Sequence, residues 1–400
     1  MSDASPGIPS VRQGNLARIL RLVHQAGPLS RAALTETTGL NRSTIADLVG
    51  ELTRLALVRE HAPDPSRRVG RPSPLVAGDP DVVAIAAHPE VDALTLAAVG
   101  LDRGIPVRER IELDHLLTPA ETAELVAERV AAWTTAELAG ARIVGIGVAV
   151  PGLVRSADGI VRSAPHLEWT DAPLRTLVEE ATGLPTSVGN DANLGAIAEH
   201  LYGAGRGAWD IVYLNGGASG IGGGLIVGGI AVGGAGGYAG EFGQNRPGIA
   251  ADSDRRADHG VLEDEVSRAR LLEAVGLSNA DEPTLADALA ASSEAGVLDE
   301  VGRQRRILAT ALANAVNVLN PGVVILGGFL ATIAQLDGPA LEADVRAQAM
   351  AANAETLDIR TALLAEDRLL IGAAEAAFAE LIADPLNRVP AAPATRDISI

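Results

Sequence analysis

Leu16, Ile19, Leu20 and Val23 recur at i, i+3, i+4 and i+7, the spacing of one apolar helical face. Ser30 is suited to cap a short second helix, which Gly39 is placed to end. A third helix is predicted with Asn41 or Ser43 as cap and Ile45, Leu48, Val49 and Leu52 as its buried stripe. Its other face shows Arg42, Ser43, Thr44, Asp47 and Glu51. The short link from Thr38 to Asn41 makes the last two a helix-turn-helix. A β-prone run, Ala56 to Arg59, and the pair Leu75-Val76 flank a turn-rich stretch carrying Arg67, Arg68 and Arg71. That is the pattern of a two-stranded wing with arginines near its tip. In such modules the front of the last helix, here Asn41, Arg42, Ser43 and Thr44, meets base edges, while wing arginines suit phosphates or a narrow minor groove. A solvated or phosphate-touching Arg42 is the competing reading.

Beyond Asp79-Pro80 the pattern changes. Val82 to Ala86 and Ala93 to Val99 read as paired strands, and Pro119 to Leu138 as an amphipathic helix. Ile143 to Val150 reads as a buried strand, Leu174 to Ala181 as a helix, and a further helix follows Asn190-Asp191-Ala192-Asn193. Strands alternating with helices indicate an α/β architecture. Ile211 to Gly240 carries no charge over thirty residues, yet thirteen of them are glycine. A membrane-spanning helix is therefore disfavoured and a strand-and-turn segment expected. The proline- and alanine-rich tail from Pro390 is expected to be disordered.

Charge sharpens the division. The 400-residue chain has a net charge of −19, but residues 1–80 hold ten arginines against seven acids. Any DNA contact must then be local and lie in that segment. Cysteine is absent, which excludes disulfides, thiolate zinc sites and a cysteine nucleophile. The opening ten residues lack the basic-then-apolar order of a secretion signal, and a cytoplasmic location is expected.

Five segments carry a family resemblance. Val144 to Gly152 resembles the GIGV-x-x-PG strand of the ROK (repressor, open reading frame, kinase) family, and Leu184 to Asn193 the segment ending in its NDAN motif. Gly217 to Gly224 resembles its glycine-rich second phosphate loop, Gly240 to Gly243 its GE-x-G turn, and Asn320 to Gly328 its adenosine-region strand. The resemblance implies an actin-like, sugar-kinase-like (ribonuclease H-like) domain of two α/β lobes behind the winged module, with a sugar between the lobes. Expected boundaries are 1–80 for the DNA-binding module and 81–400 for the remainder. Within the latter, lobe I takes about 81–190 plus 370–389, lobe II about 191–369, and 390–400 is the tail.

By position, the resemblance places Asp191 where the family's kinases carry the base that deprotonates the sugar. Asn190 is its neighbour, and Glu241 and Glu263 match two glutamates that hold sugar hydroxyls. Carboxylates and amides suit hydroxyls that both donate and accept. Asp191 as a helix cap and Glu241 as a solvated surface charge remain alternatives. Trp169 could border a sugar or pack in a core.

The departures from the family pattern matter as much. Gln244 stands where the family has a zinc-binding histidine, and Asp254, Arg256 and Val261 stand where it has three cysteines. Zinc bound in the family manner is not expected, nor is any other cofactor. His259 with Asp252, Asp254 and Asp258 reads better as a polar loop than as a metal site. The kinases' D-x-G-x-T phosphate loop is missing from Ala86 to Val91, and phosphoryl transfer needs both loops. Asp191 is thus read as a ligand holder, and Asn190, Asp191, Glu241, Gln244 and Glu263 as a sugar site. The expected function is sugar-responsive repression of transcription. A homodimer or homotetramer would bind an inverted-repeat operator, with a small sugar as effector and no membrane partner. Two rivals stay open: a sugar kinase with a fused regulatory module, and a ligand-independent regulator whose kinase-like part only oligomerises.

Overall fold

The computed structural model describes residues 10–61, 74–258 and 260–386. Arg67, Arg68, Arg71, His259 and the tail from Pro390 lie outside the described residues.

Three helices open the chain: α1 (Val11–Ala26), α2 (Arg31–Thr38) and α3 (Arg42–Arg54), with strand β1 (Leu29–Ser30) between the first two and β2 (Val58–His61) and β3 (Leu75–Gly78) after them. The apolar stripes meet as expected, with Leu16, Ile19, Leu20, Leu34, Ile45, Leu48 and Leu52 all buried. Each contributes about 1.5–3 kcal/mol by leaving water. Ser30 Oγ accepts from the Ala33 amide at 3.0 Å, and Gly39, at φ 72°, ends α2. Asn41, not Ser43, caps α3: its Oδ1 accepts from the Thr44 amide at 2.9 Å and from the Ser43 hydroxyl at 2.7 Å. Among the described residues β2 pairs antiparallel with β3, and β1 adds a further strand in the order β1-β3-β2. The added strand is a two-residue bridge, too short to leave an alternation in the sequence.

The chain continues through β4 (Val82–Pro89), β5 (Ala93–Gly100), β6 (Val107–Glu112), α4 (Pro119–Thr135) and β7 (Arg142–Val150). Three short strands follow, β8 (Leu153–Arg155), β9 (Ile160–Ala164) and β10 (Trp169–Ala172), then α5 (Leu174–Thr182), β11 (Thr186–Asn190) and α6 (Asp191–Tyr202). Next come β12 (Ile211–Gly217), β13 (Gly220–Val227), β14 (Ile230–Ala231), α7 (Leu262–Glu265), α8 (Arg268–Ala274), α9 (Glu282–Ala291) and the long α10 (Ala295–Leu319). The last elements are β15 (Val323–Gly328), α11 (Phe329–Leu336), α12 (Gly338–Gln348), α13 (Ala351–Ala354), β16 (Asp358–Thr361) and α14 (Arg368–Ala383). Among the described residues no helix is long and apolar enough to cross a membrane.

Packing divides the chain into two units. The first takes residues up to 149, then 172–188 and those from 373 on; the second takes 150–171 and 189–372. Residues 150–171, expected in the first lobe, thus pack with the second unit, and Trp169 among them is a buried side chain. The three opening helices fall in the first unit.

In the first unit the sheet runs β11-β7-β4-β5-β6, with β4 parallel to β7 and antiparallel to β5. Every residue of β5 is buried, as in a strand covered on both faces. One polar contact seats the opening helices here. His24 on α1 is buried, with Nδ1 2.7 Å from the Leu101 carbonyl and Nε2 2.7 Å from Glu375 of α14. With Glu375 ionised both partners accept, and the imidazolium form of His24 can donate to both. Burial opposes that charge, yet the hydrogen bond and charge of Glu375 prevail and hold the His24 pKa above its ordinary value.

The second unit's sheet runs β14-β13-β12-β15-β16, with β12 parallel to β15 and antiparallel to β13. The glycine run of β13 lets α6 lie directly on the sheet. A Cβ at Gly222 would stand 2.6 Å from Ala192 and one at Gly224 2.5 Å from Ala196. At the far end of α6 the buried Glu199 carboxylate accepts from the amides of Ala204 at 2.7 Å, Leu363 at 3.0 Å and Leu364 at 2.8 Å.

Candidate functional site

The first turn of α6 carries two of the expected site residues. Asn190 caps the helix: Oδ1 accepts from the Asn193 amide at 2.9 Å, and Nδ2 donates to the Gly152 carbonyl at 3.0 Å. Each end of its amide thus makes one bond to the fold, leaving one Nδ2 hydrogen and one Oδ1 lone pair for a ligand. Asp191 is the first helical residue, not the cap, and its Oδ1 accepts from the Ala192 amide at 2.7 Å. A carboxylate at a helix N-terminus is stabilised by the unpaired amides there.

Glu241 sits half-buried after Gly240, whose φ of 101° suits a residue with no side chain. A Cβ on Gly240 would also lie 2.5 Å from the Gly223 carbonyl. Burial raises the Glu241 pKa above its ordinary value, and the nearby charges of Asp191 and Glu263 raise it further. The fold thus gathers Asp191, Glu241 and Glu263 within electrostatic reach. Gln244 is exposed and donates from Nε2 to Glu263 Oε1 at 2.6 Å, while Glu263 Oε2 accepts from the Ile221 amide at 3.1 Å.

A charge held against its preference costs stability. The Glu241 carboxyl is protonated in folded and unfolded chains alike well below its ordinary pKa of 4.5. As pH rises from there the unfolded chain releases its proton first, and stability falls until the raised folded pKa is passed. Glu241→Gln is therefore expected to stabilise the protein at pH 7 and not at pH 3.5, by less than about 1 kcal/mol because the group is partly open to water. Thermal unfolding of both proteins at the two pH values measures this; equal midpoints at pH 7 would show the carboxylate to be unstrained.

The residues at the family's zinc positions do not fit a zinc ion. Gln244 is bonded to Glu263, Asp254 pairs with Arg306 at 2.9 and 3.1 Å, Arg256 is a cation and Val261 is an alkyl side chain. Among the described residues no three His, Asp or Glu side chains are grouped to hold a metal.

The segment in place of the phosphate loop is a tight hairpin. The Glu90 amide donates to the Ala93 carbonyl at 2.8 Å, closing the turn between β4 and β5. Glu90, Asp92 and Glu112 surround Arg110, at 2.6, 3.3 and 3.0 Å. Three carboxylates on one guanidinium leave a negative tip. Gly222, Gly223 and Gly224 of the second glycine loop are spent on close packing, two against α6 and Gly223 against Gly240 and Phe242.

At the front of α3, Asn41, Arg42 and Ser43 are exposed and Thr44 partly so. Asn41 Oδ1 is occupied as the cap, so only its Nδ2 hydrogens remain to donate outward.

The ROK family matches residues 91–380, nearly three quarters of the chain. The chain belongs to the ROK family. Its relatives include the xylose repressor of Caldicellulosiruptor bescii, 24% identical over 94% of this chain and 98% of the repressor. The solved structure of a ROK family transcriptional regulator, a homologue of the Escherichia coli Mlc protein, superposes with a TM-score of 0.74 at 23% identity, covering 93% of this chain and 97% of that one. A ROK family glucokinase from Streptomyces griseus, solved with glucose and AMPPNP, gives a TM-score of 0.55 at 23% identity over 73% of this chain and 98% of its own. The α/β fold of this ROK chain is thus close to that of ROK regulators and sugar kinases.

Sequence reasoning missed three buried charges in the second unit. Glu199, Glu265 and Arg303 are fully or almost fully buried ionisable groups, and nothing in a local pattern marks a charge as buried.

Proposed function

We propose that this ROK-family chain is a sugar-responsive transcriptional repressor without kinase activity. In this reading the 1–80 segment serves as the winged helix-turn-helix module and meets operator DNA through Arg42, Ser43, Thr44 and the Asn41 amide, with Arg67, Arg68 and Arg71 assigned to phosphates. Asp191 and Glu241 hold the hydroxyls of a neutral sugar, Gln244 and Glu263 border it, and Asn190 orients Asp191. Two or four copies present paired modules to an inverted-repeat operator. One observation carries the reading: similarity to a xylose repressor extends over 94% of the chain and 98% of the repressor.

The acidic hairpin of Glu90 and Asp92 supports the absence of phosphoryl transfer, because it would repel the phosphates that a kinase must cradle. The test is anisotropy titration of duplexes selected in vitro by the protein, with and without D-xylose, D-glucose and other neutral monosaccharides. An ATP-coupled assay is run on the same panel. At least one sugar is expected to shift the DNA curve while ADP formation stays at background. Sugar-dependent ADP formation that vanishes in Asp191→Asn would identify a kinase instead.

The DNA-facing residues have separable signatures. Arg68→Ala with Arg71→Ala should weaken binding to all sequences and reduce the salt slope by about 2, near 0.9 for each phosphate left without its arginine. Arg42→Ala should relax sequence preference at one base pair, by about 1–3 kcal/mol. An unchanged salt slope in the double variant would remove the wing from the interface.

A further inference from the structure

Without a metal, the loop between Asn245 and Val261 has to be held by something else. Beneath it lies Arg303 of α10, 1% exposed. A guanidinium has five N–H donors, and here each meets an oxygen. Nε and Nη2 reach the Glu300 carboxylate at 2.8 and 2.7 Å, and Nη2 also reaches the Glu265 carbonyl at 2.7 Å. Nη1 reaches the Asp254 carbonyl at 2.9 Å and Glu265 Oε2 at 3.1 Å. Glu265, 0% exposed, in turn accepts from the amides of Arg256 and Ala257, each at 3.0 Å. Two of the three positions where the family has cysteines, 254 and 256, are thus gripped through their backbone. Next along α10, Gln304 clasps Ser267 in both directions, accepting from its amide and donating to its carbonyl at 3.1 Å each.

Glu265 and Glu263 share the single turn of α7. Whatever fixes one fixes the other, and Glu263 is the acceptor for Gln244 and for the Ile221 amide. We infer that the buried Glu265–Arg303 pair is a positioning device that replaces the family's zinc, holding the 254–265 segment so that Glu263 and Gln244 stand at the sugar site. A buried network with every donor satisfied is rigid and geometrically specific, which is the property a structural metal supplies. The role at the sugar site rests on the function proposed above; the holding of the loop does not.

Amide hydrogen exchange on the full-length protein tests the holding directly. The Arg256 and Ala257 amides should be protected, and 1,10-phenanthroline should leave that protection unchanged. In Arg303→Lys, which keeps the charge with fewer donors, and in Glu265→Gln, exchange at these two amides should accelerate at least about tenfold. Amides of β12 should be unaffected in both, so that loosening of the loop is told from global unfolding. Titration with D-xylose and D-glucose then reads the positioning. Arg303→Lys should lower affinity about tenfold, and adding Glu263→Gln should cost little more, because both act through one group. Stoichiometric zinc in the purified protein, protection lost to the chelator, or unchanged exchange in both variants would overturn the inference. Full additivity with Glu263→Gln would overturn the positioning role. If neither sugar binds the wild type, the sugar-site reading fails for those sugars, and loss of protection in the variants still supports the holding of the loop.

Discussion

Replacing Glu199 with alanine is expected to destabilise the protein by about 2–4 kcal/mol. The carboxylate is 0% exposed and serves three backbone amides, two of them more than 160 positions away in sequence. Removing it leaves the buried Ala204 amide without its acceptor, at about 1–3 kcal/mol, and frees the Leu363–Leu364 segment from the end of α6. Glu199→Gln keeps one accepting oxygen but turns an NH2 toward amide donors, and should lie between wild type and alanine. Urea denaturation of the three proteins gives the comparison. Equal midpoints would mean that the segment before α14 is anchored elsewhere.

Asp191→Ala is expected to weaken sugar affinity by roughly ten- to a hundredfold, the equivalent of losing a hydrogen bond to a charged acceptor at about 1.5–3 kcal/mol. The variant is readable because Asp191 is not the helix cap. Asn190 keeps that task through its bond to the Asn193 amide, so α6 should still form. Sugar-free operator affinity should remain near wild type, since the substitution lies in the second unit and the opening helices pack in the first. Coupling between two sites is reciprocal, so the variant should need ten to a hundred times more sugar to shift the DNA curve. Operator titration at graded sugar concentrations decides it. A variant that responds at the wild-type concentration would remove Asp191 from the sensor.

What could be read from the chain was what repeats locally. The apolar stripe at Leu16, Ile19, Leu20 and Val23, the cap at Ser30 and the stop at Gly39 are short-range features, and each has its expected place in the structure. Strand β1 was not legible, because a two-residue bridge has no period. Asp191, Glu241 and Glu263 were singled out through their motifs, and the nearness of their charges is visible only in the fold. Arg303 escaped for a different reason. It stands in the run Gly302-Arg303-Gln304-Arg305-Arg306, where a charge looks solvated, and its partner Glu265 is 38 residues away. The loss of the zinc motif was plain in the sequence; the network that takes over its place was not, since a buried ion pair is a property of the folded chain.

The seat of α1 has a bearing on how the protein is made. Glu375 is 351 residues downstream of His24, so the contact between the opening helix and α14 waits until α14 has been made. At about 5–20 residues per second of synthesis, roughly 20–70 s separate the two. Throughout that interval the face of α1 that carries His24 lacks the cover α14 gives it. A ribosome that stops short of α14 would release the opening helices without this contact. The packing of the opening helices is thus completed by an element made long after them.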